Sequence, residues 1–153
     1  METPSFTFRL ERVRNLRERA EERAREALSA ELRVRAEGEA LLRRATDVVG
    51  AARDAGRAVS GARVSALDFM TAQNFLERAE RTRVEASLEL DRRDAEVAAK
   101  RQHLAVAARD RQAIDKLKER RKAEHDAEWA RRSQNTLDEF ALAVHRRGGA
   151  VAA

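Results

Sequence analysis

The sequence predicts an all-α fold, a long antiparallel two-helix coiled-coil hairpin with its turn near 57–62, on three observations. The first is a repeat. From Phe6 to Phe69 every seventh residue is apolar: Phe6, Val13, Ala20, Ala27, Val34, Leu41, Val48, Ala55, Ala62 and Phe69. An α-helix turns once in 3.6 residues, so a strict seven-residue repeat draws a slowly winding stripe that only a second helix can cover. The second is composition. Charged residues make up 39% of the 153, aromatics 4%, thirty-one residues are Ala and one is Pro, the make-up of long helices rather than of a globular core. The third is a cluster of breakers, Gly50, Gly56, Ser60 and Gly61, in a stretch otherwise rich in Ala, Val and Arg.

The elements follow in order. Pro4 favours a helix start, and Ser5 or Thr7 supplies a hydroxyl to cap it, so helix one is predicted over about 6–56. Opposite charges at Arg17–Glu21 and Glu21–Arg25 have i, i+4 spacing and support it by a few tenths of a kcal/mol each. Three glycines within twelve residues each cost a helix interior about 1 kcal/mol relative to Ala, which places the reversal at 57–62. The apolar column nevertheless passes through that stretch, so a single unbroken helix is the alternative. Helix two is predicted over about 64–146, carried by Leu67, Met70, Leu76, Val84, Leu88, Ala95, Ala99, Val106, Ala113, Leu117, Leu137, Phe140 and Val144. Gly148-Gly149 ends it and leaves 147–153 as a disordered tail. The whole chain, 1–153, reads as one coiled-coil domain. Helix two is the longer and must overhang helix one, kink, or pair with a partner. Phe140 is expected against Phe6 or Phe8, where the termini meet.

Composition also excludes chemistry. Without Cys there is no disulfide, thiolate nucleophile or thiolate metal site. His103, His125 and His145 lie about twenty residues apart, far from any ligand spacing, and are read as surface or seam residues. No Gly-rich phosphate loop is present. Acid pairs such as Glu21-Glu22 and Asp138-Glu139 belong to an exposed helical surface that would not perturb them. No metal, cofactor or catalytic residue is expected. The N-terminus lacks the basic and apolar regions of a signal peptide, and no window reaches the roughly 18 apolar residues of a membrane span, so a cytoplasmic protein is expected. The net charge of +5 resides wholly in residues 100–132, while 1–99 holds nineteen Arg against nineteen acids. Arg120-Arg121-Lys122 could meet an acidic partner or a phosphate backbone. Interleaved acids and a lone Trp129 argue against nucleic acid. Phe69 and Leu76, seven apart, belong to the seam, whereas Phe75 points elsewhere, either to dock a partner or to cover the turn.

At four places the chain resembles the FliJ family, the small coiled-coil component of the flagellar type III export ATPase complex. They are Gln134-Asn135-Thr136-Leu137-Asp138-Glu139-Phe140-Ala141, the opening Phe6-x-Phe8-x-Leu10-x-x-Val13, the run Leu117-Lys118-Glu119-Arg120-Arg121, and the stretch Phe69 to Leu76. The resemblance implies a non-enzymatic stalk and general cochaperone, monomeric in isolation, peripherally associated with the flagellar basal body. Its partners would be the export ATPase hexamer, the cytoplasmic domain of the export-gate membrane protein, and substrate chaperones. Gate contacts would fall on Leu41, Leu42, Phe75 and Ala79, with Ala72 beside them. Ala72 and Ala79 stand where bulkier residues can occur in the family. ATPase contacts are assigned, as a hypothesis, to Arg120, Arg121, Lys122, Leu137, Asp138, Glu139 and Phe140. A generic scaffold that homodimerises through the Phe6–Phe69 column is the alternative.

Overall fold

The computed structural model describes residues 5–60 and 65–150, and contains two helices: α1, Glu11–Ser60, and α2, Ala66–Ala150. No strand occurs among the described residues. The chain is an all-α helical hairpin. Its packing falls into two compact units, one joining the residues up to Ala20 with those from Ala108 onward, the other comprising Glu21–Ala107.

In the Glu21–Ala107 unit the helices run antiparallel: Arg53 pairs with Glu80, Gly38 faces Leu90, and Arg35 pairs with Asp94. The seam keeps the heptad period but not the predicted phase. On α1 the buried or half-buried columns are Leu28, Arg35, Leu42, Val49, Gly56 and Ala24, Glu31, Gly38, Ala45, Ala52. On α2 they are Leu76, Arg83, Leu90, Val97, Leu104 and Ala72, Ala79, Ala86, Arg93, Lys100, Ala107. The apolar column Val34, Leu41, Val48, Ala55 sits one residue ahead of Arg35, Leu42, Val49 and Gly56, and is exposed. It flanks the seam instead of forming it. Val84, Leu88 and Val106, among the apolar residues that predicted helix two, are likewise exposed, as is Phe69 of the seam column.

The most buried side chains here are small, Val49, Ala52, Ala79 and Val97, with Leu76 packed against the first three. Each buried methyl or methylene contributes about 0.8 kcal/mol, so an Ala-rich seam holds the helices close with modest driving force. Charge fills other seam positions. Glu21 is 4% exposed and accepts a hydrogen bond from Arg25.

The other unit is also antiparallel, and ion pairs step along it: Arg17 to Asp110 at 2.7 Å, Arg14 to Asp115 at 2.8 Å, Glu11 to Lys118 at 2.8 Å. Here Phe6, Val13 and Ala20 are partly buried, as the repeat predicts. Phe6 and Phe8, however, precede the helix. Neither Ser5 nor Thr7 caps α1; it opens with the Glu11 N–H donating to the Phe8 carbonyl at 3.1 Å and Arg14 N–H to Leu10 at 2.9 Å. The reason is geometric. In a helix, residues two apart point roughly 200° from each other, so Phe6 and Phe8 could not both reach α2. Outside the helix they do, with ring centroids 6.5 Å apart.

The predicted boundaries shift elsewhere too. Gly50 and Gly56 lie within α1, and Arg57–Ser60 remain helical. Gly61 and Ala62, the rest of the expected turn, lie outside the described residues. Glycine's cost in a helix is free energy rather than a steric bar, and no glycine among the described residues has a positive φ. For the same reason α2 continues through Gly148-Gly149 to Ala150, so residues 147–150 are not a tail; 151–153 lie outside the described residues. α2 starts with a reciprocal cap. Ser65 Oγ accepts from the Asp68 N–H at 3.2 Å while the Ser65 N–H donates to Asp68 Oδ2 at 3.3 Å, the arrangement of a capping box.

Candidate partner-binding surfaces

Two surfaces, one in each unit, carry the residues singled out by sequence. In the Glu21–Ala107 unit an open groove of about 340 Å³ runs between Ala45 and Val48 on α1 and Phe75, Arg78, Ala79 and Thr82 on α2. Phe75 forms one wall at 46% exposure, Val48 the other at 44%, and Leu41 extends the same face of α1 two turns toward its N-terminus at 56%. Ala79 is only 7% exposed, packed with Val49 and Ala52. It forms the groove's floor, and its small side chain is what leaves the groove open. Leu42 is half-buried in the seam, and Ala72 is half-buried near the start of α2. Of the five, therefore, Phe75 and Leu41 present side chains to solvent, and the other three are buried or half-buried. Val48, Ala45, Arg78 and Thr82 were not singled out by sequence. The signal for Val48 was the apolar column itself, once its phase is known: a residue beside the seam shares a face with the residue beside the seam on the antiparallel partner.

In the other unit Arg120, Arg121 and Lys122 are exposed on α2. Two of them share a partner. Glu124 accepts from Arg121 at 3.1 Å and lies 3.5 Å from Arg120. Further along, Leu137, Asp138, Glu139 and Phe140 are all exposed, with Asp138 accepting a hydrogen bond from Gln134 at 3.0 Å. Leu137, Phe140 and Val144 are spaced three and four apart, which aligns them on one face of the helix. Phe140 does not meet Phe6 or Phe8; it is 63% exposed. The Phe6 ring lies instead 5.6 Å from that of His125, about four helical turns earlier, and Lys118 Nζ stands 6.0 Å over Phe8. The register follows from the ion pairs: Glu11 bonded to Lys118 puts residues only a few positions earlier opposite His125. The Lys118 hydrogen bond holds the Glu11 carboxyl below its ordinary value, and the bond to Asp115 raises Arg14.

Neither surface encloses a reacting centre. No cluster of three His, Cys, Asp or Glu among the described residues could hold a metal, and no described helix is long and apolar enough to cross a membrane. What both offer is apolar side chains on rigid helices with charges at the margin, an arrangement suited to binding proteins. No curated protein and no solved structure matches the chain significantly. The sequence model of the flagellar FliJ protein matches residues 6–150, nearly the whole length; the chain belongs to the FliJ family, and with it to flagellar protein export.

Proposed function

We propose that this chain is a non-enzymatic stalk and general cochaperone of the flagellar type III export apparatus, held in the cytoplasm at the basal body. One surface would engage the export ATPase ring: the cations at 120–122 and the apolar face of Leu137 and Phe140 on α2. The groove walled by Phe75, Val48 and Leu41 would engage the cytoplasmic domain of the export-gate membrane protein. Substrate chaperones are the third class of partner. The observation that carries this reading is the exposure of Phe75 directly above a well-packed Ala79–Val49–Ala52 cluster. A large aromatic left out of a core that small residues already fill is available for a partner. The homodimeric scaffold needed the Phe6–Phe69 column as its seam; the hairpin's own seam lies one residue along, at Arg35, Leu42, Val49 and Gly56, and α2 of the same chain covers that.

Phe75→Ala tests the gate contact. Helicity and urea midpoint are expected to stay near wild type, while affinity for the isolated gate domain, measured by calorimetry, falls tenfold or more. Truncating a buried Phe costs about 3–5 kcal/mol. A stability loss of that size with gate affinity intact would return Phe75 to a packing role.

A further inference from the structure

The aromatic strap ahead of α1 rests on α2 against two side chains of different titration chemistry. Phe6 and Phe8 lie on α2 as a stacked pair, their planes 28° apart. Each meets a different cation-forming side chain. Phe8 is under Lys118, a permanent ammonium, and Phe6 is beside His125, with the rings inclined at 58°. Imidazole is the side chain whose charge ordinarily changes between pH 5 and 8, and a cation on an aromatic face is attracted by the ring quadrupole.

We propose that His125 is a proton-sensitive clasp for the Phe6–Phe8 strap, closing it on α2 when protonated and loosening it when neutral. The groups around the clasp support that direction. Asp126 lies 3.3 Å from His125 Nδ1. Glu124 and Glu128 line the same groove, as do Arg121 on α2 and Arg9 on the strap. Glu124 is engaged by Arg120 and Arg121, and Lys118 by Glu11. The nearest group to the imidazole nitrogen is thus a carboxylate, and its ring neighbour is an aromatic. Each can contact a cation, the carboxylate as an acceptor and the ring through its quadrupole. Closing the strap also builds the start of α1, because the first helical N–H donates to the Phe8 carbonyl. Protonation at one α2 residue is thereby transmitted to the order of the other helix's first turn.

The chain has no cysteine, so two can be placed at will. Spin labels at Ser5→Cys and Arg132→Cys, both exposed positions, report strap docking by pulsed dipolar spectroscopy. The ratio of the short, docked distance to the long one is expected to rise roughly two- to fivefold between pH 8 and 5.5, the yield of one exposed cation–π contact. In His125→Gln the ratio should be the same at both pH values. In Phe6→Ala the docked population should be smaller at both and insensitive to pH. A wild-type ratio that is flat or falls on acidification, or a pH response that survives in His125→Gln, would overturn the clasp.

Discussion

Single residues set how tightly this hairpin closes, and glycine shows it most simply. Gly50 is exposed on α1, and a Cβ built on it meets nothing within 4 Å. Its backbone is helical, so the added methyl would be neither strained nor crowded, while the unfolded chain would lose freedom. Gly50→Ala is therefore expected to stabilise by about 1 kcal/mol, read as a higher urea midpoint by circular dichroism with unchanged slope. No change, or a loss, would mean that α1 is not regularly helical at this point. Gly38 is a different case. A Cβ there would stand 3.8 Å from Leu90 Cδ1, so Ala would fit in ordinary contact, but a longer side chain would push the helices apart.

At the level of the helices, the seam trades stability for register. Glu31 occupies a heptad position where an apolar residue would be ordinary. Its Oε1 is buried without a hydrogen bond, and Arg93 Nη1 is 3.6 Å away. Arg93 is better held by Glu89, at 2.8 Å, which raises its affinity for its proton more than Glu31 does. A half-buried carboxylate with one oxygen so weakly compensated contributes little net stability, yet polar groups at such positions penalise slipped pairings. Glu31→Leu is expected to raise stability by about 1–2 kcal/mol, since Arg93 keeps Glu89, and to permit some self-association in sedimentation experiments. A destabilisation would show that the pair with Arg93 is a net contributor. This also explains what was legible in the sequence. The seven-residue period and the antiparallel pair of helices could be read from it, from the apolar repeat and the cluster of breakers, whereas Phe75 was left between docking a partner and covering the turn. The phase could not. Arg35, Glu31 and Arg93 hide the true seam from any count of apolar residues, and Val34, Leu41 and Val48 beside it mimic one. The partner of Phe6 was missed for a related reason: it depends on register between helices, which the Glu11–Lys118 and Arg14–Asp115 pairs determine and no local pattern reveals.

For the molecule as a whole the deciding property is where its charge excess lies. The entire +5 sits in residues 100–132, and Arg120, Arg121 and Lys122 are its densest point. Three consecutive helical residues span about 200° of circumference, and all three side chains are exposed, so none is committed to α1. Glu124 offsets part of the charge through Arg120 and Arg121, at an exposure where ion pairs contribute at most about 1 kcal/mol and yield readily to a stronger acidic partner. Exposed charges of this kind govern association rate and salt dependence more than final affinity. Reversing all three to Glu should leave helicity intact and slow association with the export ATPase, most visibly at low salt, where the Debye length is longest. Glu124 loses its partners in this mutant and equally when the three are replaced by Gln, but only the reversal adds three further carboxylates, so its effect should be the larger. Stopped-flow association across a salt series separates the possibilities. Rates that converge at high salt identify electrostatic steering by this segment. Equal rates for wild type and mutant at every salt concentration would make it a solvated face, and would leave the Leu137–Phe140–Val144 side of α2 as the surface that meets the ring.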